Sequence, residues 1–246
     1  MLNLIGHKAL VTGASRGLGK AIATRLSELG CSVVLLARDE VLLQRNLQQL
    51  SSISPQQKHS YIKCDLANLY IKADTNHQHL VDALQDISIL VNCAGVTNHK
   101  LLPKLSNEEI ISTINTNLTS PIILSKMAFK PLLQSSKKFD NFVPTILNIS
   151  SILALNDTSV PGTAVYSASK KGLLGFTSAL AAEFKGKIRV NSILPGLIEE
   201  TDMGKSAHID NVEEVSLKDV VDASIEVIGD QNANGEHTII AHEEKV

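Results

Sequence analysis

Thr12-Gly13-Ala14-Ser15-Arg16-Gly17-Leu18-Gly19 follows the apolar run Ala9–Val11 and leads at once into a helical pattern, Leu18–Leu29. Glycine is needed where a backbone must turn tightly and approach a pyrophosphate. A helix N-terminus adds unpaired N–H groups and the positive end of a dipole. The spacing is G-x-x-x-G-x-G rather than the commoner G-x-G-x-x-G, but its place between strand and helix is the setting that gives a glycine triplet meaning. A phosphate cradle is therefore expected here, against the plainer alternative of a glycine-rich turn with no ligand.

Working outward, strand-length apolar runs alternate with helical patterns along the whole chain. The runs are Ala9–Val11, Ser32–Ala37, Tyr61–Cys64, Ile87–Asn92, Thr145–Ile149, Ile188–Leu194 and a weak His237–Ala241. The helical patterns are Leu18–Leu29, Glu40–Leu50, Ala73–Leu84, Asn107–Leu133, Ala164–Phe184 and Lys218–Ile228. Val33-Val34-Leu35-Leu36 is continuously apolar, as strands covered on both faces are. The expectation is an α/β fold: one doubly wound (Rossmann) domain over residues 1–246, a parallel sheet of about seven strands with helices on both faces. The polar stretches Ser51–Lys58 and Ser135–Asn141 read as connectors inside it.

Hydrophobic residues are 43% of the chain and charged ones 20%, enough apolar side chains for a real core. A net charge of −2 argues against a broad nucleic-acid or anionic-membrane surface. Cys31, Cys64 and Cys93 cannot all pair and sit at or within apolar runs, which favours a reducing compartment. No apolar run is long enough to span a bilayer, and Met1–Leu10 shows neither a secretory h-region nor an Arg/Ser-rich leader. Two of the histidines, His77 and His79, are close in sequence, but an i, i+2 pair on a helix does not share a face, so no metal is expected.

The second strand ends Leu36-Ala37-Arg38. An NAD site would place a carboxylate at this strand end for the ribose 2′-hydroxyl, whereas NADP needs an arginine for the 2′-phosphate. Ala37 offers no repulsion, and Arg16 with Arg38 can hold a dianion from two sides. Asp39 reads as the start of the next helix. NADP(H) is the expected cofactor.

Tyr166 and Lys170 lie at i and i+4 near the start of a helix, on one face. A phenol with a pKa near ~10 is a poor acid–base group at neutral pH, and a neighbouring ammonium lowers that pKa, so the pair suits proton donation to a developing alkoxide. The fifth strand ends Asn148-Ile149-Ser150-Ser151, delivering a serine to the carboxyl edge of the sheet, where doubly wound folds bind ligands. Pro161-Gly162 supplies a turn between serine and tyrosine. In the long helix capped by Ser106-Asn107-Glu108-Glu109, Pro121 should free the carbonyl of Asn117 and kink the chain there, leaving that oxygen to hold a water.

Together these residues resemble the short-chain dehydrogenase/reductase family, from Lys8 to about Met203. The motifs are Thr12–Gly19, Asp65-Leu66, Asn92-Cys93-Ala94-Gly95 in place of N-A-A-G, Pro195-Gly196, and the set Asn117, Ser151, Tyr166 and Lys170. The resemblance implies cofactor contacts from Gly13, Ser15, Arg16, Gly17, Leu18 and Gly19 in the turn, and from Arg38, Asp65 and Leu66 on the adenine side. On the nicotinamide side it implies Asn92, Ala94, Gly95, Tyr166, Lys170, Pro195, Gly196, Ile198 and Thr201. It further implies that Tyr166 protonates the substrate oxygen, Ser151 (rather than Ser150) hydrogen-bonds the carbonyl, Lys170 holds the nicotinamide ribose and lowers the tyrosine pKa, and Asn117 holds a water joined to Lys170.

More narrowly, Ile149–Leu153, Val160–Thr163, Asn92–Thr97, Pro195–Leu197 and Thr201–Met203 are similar to 3-oxoacyl-[acyl-carrier-protein] reductases of the fungal mitochondrial branch. That resemblance implies NADPH-dependent reduction of a carrier-bound 3-oxoacyl thioester in mitochondrial type II fatty acid synthesis, by a homotetramer. A carrier of that kind is acidic, and Lys137, Lys138, Lys185 and Lys187 are the expected docking cations at the pocket mouth. Two departures from the pattern, a shortened stretch Gly204–Val215 and an ending without the usual glycine pair, bear on the substrate pocket and on assembly. A reductase of small ketones and a catalytically silent cofactor-binding subunit are the alternatives.

Overall fold

The computed structural model describes residues 2–69, 76–139, 141–155, 158–206 and 214–241. Its strands are β1 (Lys8–Thr12), β2 (Ser32–Ala37), β3 (Ser60–Lys63), β4 (Ile89–Asn92), β5 (Thr145–Ile149), β6 (Arg189–Pro195) and β7 (His237–Ile240). The helices are α1 (Gly17–Glu28), α2 (Glu40–Leu47), α3 (Asn76–Ala83), α4 (Asn107–Ile114), α5 (Ser120–Ser135), α6 (Ala164–Glu183), α7 (Asp202–Ser206) and α8 (Leu217–Gly229). The seven strands form one sheet in the order β3-β2-β1-β4-β5-β6-β7. Every pairing is parallel.

Why a continuous apolar run makes a strand here is visible in the two cores. Side chains of a strand alternate between faces. Ala9, Val11, Val33, Leu35, Ile89 and Val91 pack on one side with α1 and α8, against Ile22, Leu26, Val220 and Ile228. Their neighbours Leu10, Val34, Leu36 and Leu90 pack on the other, against Leu80 of α3, Leu124 and Leu132 of α5 and Leu180 of α6. Both faces are covered, so both parities must be apolar. The expected doubly wound α/β fold is the observed one.

The order reverses direction between β1 and β4, which places a crevice at their carboxyl ends. Arg189, at the first position of β6, ties the far side together. Its buried guanidinium donates to the carbonyls of Val227 (3.1 Å) and Ile228 (2.6 Å) in the last turn of α8 and of Ala233 (3.3 Å) in the turn that follows. Arg189→Met should leave these carbonyls without their donor and lower unfolding free energy by about 3 kcal/mol in a urea titration. A midpoint equal to wild type would show that the carbonyls find other partners.

Two local expectations need correction. The helix foreseen over Asn107–Leu133 is interrupted, but not by a simple proline kink. Asn115–Thr119 forms a π-helical turn between α4 and α5, in which the Ser120 N–H reaches the Asn115 carbonyl. The extra residue widens the helix one turn ahead of Pro121, and wide turns of this kind re-aim side chains. The short helix α7 has no counterpart in the sequence reading. The foreseen start of α3 at Ala73 falls outside the described residues, as does the side chain of His77.

Candidate active site

A cavity of about 500 Å³ opens along the carboxyl edge of the sheet, at the reversal between β1 and β4. The glycine-rich turn forms its floor. Gly13 (φ 69°) and Gly17 (φ 54°) adopt the left-handed backbone that favours glycine. A Cβ on Gly13 would lie 2.9 Å from Ala94 Cα, and one on Gly19 only 2.5 Å from the Gly13 carbonyl oxygen. The turn is thus bare backbone pressed between β4 and the start of α1. Thr12, to which the sequence reading gave no contact of its own, pins the far side: its hydroxyl accepts from the N–H groups of Cys93 (2.9 Å) and Ala94 (3.0 Å). At the N-cap of α1, Arg16 gives the first turn no side-chain hydrogen bond, and that turn carries no acidic residue. Such a helix start favours an anion.

Arg16, Arg38, Asp65 and Leu66 all line the cavity. Asp39 is spent as foreseen: its carboxylate accepts from Leu42 N–H at 3.0 Å and caps α2. Arg16 is not idle, since Nη1 donates to Asp202 Oδ2 at 2.8 Å. Ser15, Gly95, Pro195, Gly196, Ile198 and Thr201 also lie on the wall. Asn92 does not. It is buried beneath the floor, where Nδ2 donates to Asn148 Oδ1 (2.8 Å) and Asn148 Nδ2 donates in turn to Thr177 Oγ1 (2.9 Å). An asparagine inside a strand that is covered on both faces points into a core, not into the crevice. Asn92 braces the floor from beneath and does not line the cavity.

At the other end, Ser151, Tyr166 and Lys170 converge on the cavity. β5 delivers the serine and α6 presents Tyr166 and Lys170 on one face, with Lys170 Nζ 5.8 Å from the Tyr166 ring centroid. Lys170 is buried, and Nζ donates to the Ile149 carbonyl at 2.7 Å. Ser150 Oγ donates to the Lys170 carbonyl at 3.0 Å, so the first serine binds backbone and the second meets the phenol.

The electrostatics differ from expectation. Burial pushes the Tyr166 phenol up to about 12, while the hydrogen bond to Ser151 pulls it down and the Cys93 thiol adds a smaller rise. Burial likewise lowers Lys170 to about 8. Burial is the dominant influence on the phenol, and the Lys170 ammonium is turned onto the Ile149 carbonyl. Asn117 is fully buried, and its side chain clamps Val96: Oδ1 accepts from Val96 N–H and Nδ2 donates to Val96 O, both at 2.9 Å. Nδ2 also donates to Ser169 Oγ at 3.0 Å. The asparagine holds the loop after β4 against α6 from below and does not line the cavity.

The four docking lysines lie elsewhere than foreseen. Lys137 and Lys138 lie at the start of the connection from α5 into β5, and Lys185 and Lys187 within the connection from α6 into β6. In a parallel sheet such connections arrive at the amino edge, and five residues of strand separate that edge from Ser151, about 17 Å. Lys138 pairs there with Asp86, just ahead of β4.

Residues 7–211 match the family model for short chain dehydrogenase. The chain belongs to that family. Among curated relatives, a 3-oxoacyl-[acyl-carrier-protein] reductase FabG of Chlamydia trachomatis is 36% identical, over 88% of this chain and 83% of its own. A 3-oxoacyl-[acyl-carrier-protein] reductase of Bos taurus is 33% identical, over 79% of this chain and 76% of its own. Among solved structures, a short chain dehydrogenase from Burkholderia cenocepacia in complex with NADP superposes with a TM-score of 0.82, at 28% identity, covering 97% of this chain and 98% of that one. As a short-chain dehydrogenase the protein is an oxidoreductase. The first alanine of the family's N-A-A-G is Cys93 here, on the cavity wall with its thiol pushed up to about 12 by burial. Nothing in the sequence marked it as part of the site beyond that departure.

Proposed function

We propose that this short-chain dehydrogenase reduces 3-oxoacyl thioesters on acyl carrier protein with NADPH. The observation that carries the reading is the meeting of Ser151, Tyr166 and Lys170 in the same cleft as an uncapped helix start and two arginines. The relatives' names supply the substrate class. The residues present fit a phosphorylated dinucleotide: a glycine floor with no room for side chains at Gly13 and Gly19, free of first-turn carboxylates, and Arg16 and Arg38 for a 2′-phosphate. When bound, the nicotinamide supplies a hydride.

The chain's own part is proton transfer and positioning. Tyr166, held as the neutral phenol, donates its proton to the substrate oxygen. Ser151 hydrogen-bonds that same oxygen and fixes the carbonyl toward the phenol. Lys170 holds the ribose and replaces the tyrosine's proton, and Asn117 keeps the Val96 loop and α6 in register so that these groups stay aligned. Any water held by Asn117 belongs to its backbone carbonyl, since its side chain is committed to Val96 and Ser169.

Turnover of acetoacetyl-carrier thioester and of a free small ketone, each with NADPH and NADH, tests the proposal. The carrier thioester should exceed the ketone in kcat/KM by roughly two orders of magnitude, because binding energy away from the carbonyl contributes to the transition state. Equal rates would turn the reading to a small-ketone reductase. Gly19→Ala should weaken NADPH about tenfold, because its Cβ would sit 2.5 Å from the Gly13 oxygen and displace the floor; fluorescence titration checks it.

The same proposal takes the whole chain as one cofactor-binding domain acting as a homotetramer in the mitochondrial matrix. The continuous sheet from β3 to β7 supports the single domain. Exposed Ile111, Ile122 and Ile239 support assembly, which light scattering would check. The matrix location is supported by the resemblance to the fungal mitochondrial branch, and a fluorescent fusion that stays outside mitochondria would remove it.

A further inference from the structure

Arg16 is one of the two arginines assigned above to the cofactor's 2′-phosphate, yet its guanidinium already has a partner. Nη1 donates to Asp202 Oδ2 at 2.8 Å, joining the turn after β1 to the first residue of α7 across 186 positions of sequence. The contact is part of a built knuckle. A Cβ on Gly17 would lie 3.3 Å from Thr201 Cγ2, so the turn and the Thr201-Asp202 step already touch. Thr201 Oγ1 donates to the Ile198 carbonyl (2.8 Å) and accepts from Gly204 N–H (3.0 Å), which sets the direction of α7. Both Arg16 and Asp202 face the cleft.

We propose that Asp202 is an internal competitor of the 2′-phosphate for Arg16. Binding of a 2′-phosphorylated dinucleotide exchanges the carboxylate for the phosphate and loosens the start of α7, whereas NAD(H) leaves the pair in place. The inference rests on the NADP(H) reading. The chemistry favours exchange in one direction: the carboxylate makes a single bond to Nη1, while a phosphate near two negative charges can take both edges of the guanidinium fork. The pair is also easily broken, because its side chains are 59% and 65% exposed and such pairs contribute little. Asp202 thereby limits how tightly the cleft holds a 2′-phosphate, without touching ligands that lack one.

The test is calorimetric titration of 2′,5′-ADP and 5′-AMP into the full chain, for wild type, Asp202→Asn, Asp202→Glu, Arg16→Ala and the Arg16→Ala/Asp202→Asn double variant. Asp202→Asn should tighten 2′,5′-ADP about two- to fivefold and leave 5′-AMP unchanged, and Asp202→Glu should behave as wild type. In the Arg16→Ala background the gain should vanish. Amide exchange at Gly204 and Lys205 should be faster with 2′,5′-ADP than with 5′-AMP in wild type, and equal in Asp202→Asn. A wild type that prefers 2′,5′-ADP with no gain from Asp202→Asn overturns the competition and leaves the NADP(H) reading standing. A gain that persists without Arg16 assigns the effect to the general field of the carboxylate and overturns it too. A wild type with no preference between the two ligands removes the NADP(H) reading and the inference with it.

Discussion

Tyr166→Phe should lower kcat for reduction about 10²- to 10⁴-fold while leaving the dissociation constant of NADPH within a factor of about two. The substitution removes one hydroxyl and keeps the ring, so the packing of the aromatic face beside Lys170, 5.8 Å from Nζ, survives. What is lost is the hydroxyl that hydrogen-bonds Ser151 and that the proposed mechanism uses as proton donor. Because burial pushes this phenol up to about 12, it stays protonated throughout the neutral range, the state that proton donation requires. The reductive rate should therefore show no loss from tyrosine ionisation near neutrality. The reverse oxidation needs the phenolate and should climb about tenfold per pH unit until the phenol titrates. A Phe variant that retains more than about a tenth of wild-type kcat would mean that proton donation comes from water or another group. A catalytically silent, cofactor-binding subunit would be indifferent to the change.

The strands were legible in the sequence because both faces of this sheet are covered, so that Val33-Val34-Leu35-Leu36 had to be apolar at every position. The glycine turn was legible because Gly13 and Gly19 have no room for a side chain. Three features were not readable, for separate physical reasons. The π turn at Asn115–Thr119 depends on which carbonyl an N–H selects, and residue types near a proline allow several choices. The docking lysines were misplaced because sequence proximity to Ser151 says nothing about which edge of the sheet a residue reaches; the five residues of β5 carry the chain from one edge to the other. The tyrosine pKa had the wrong sign because spacing at i and i+4 puts the ammonium nearby but does not reveal that Ile149 O claims it. Burial then dominates both groups. In each case the missing information is tertiary: an alternative partner, or the distance across the sheet.

Lys170→Met separates the two roles of the buried lysine, because activity and stability should move in opposite directions. Activity should fall at least about 10²-fold, since the proposed mechanism gives this group the re-protonation of Tyr166 and the hold on the ribose. Stability should rise. The native pKa of Lys170 is lowered from 10.5 to about 8 by burial, so between those values the unfolded chain binds a proton that the native chain has released. Unfolding free energy therefore increases with pH through that window, and below it the full penalty of the buried charge persists, roughly 3 kcal/mol. Methionine removes that penalty and forfeits the hydrogen bond to the Ile149 carbonyl, about 1 kcal/mol. The balance is a gain of about 2 kcal/mol at neutral pH, or a Tm higher by roughly 4–8 °C for a chain of this size. The variant should also lose the rise in stability that wild type shows from about pH 8 to pH 10.5. Thermal melts at several pH values, beside kcat measured on the same preparations, decide it. If the melting temperature drops with activity, Lys170 is a structural brace whose bond to Ile149 outweighs its burial, and the loss of turnover would say nothing about proton transfer.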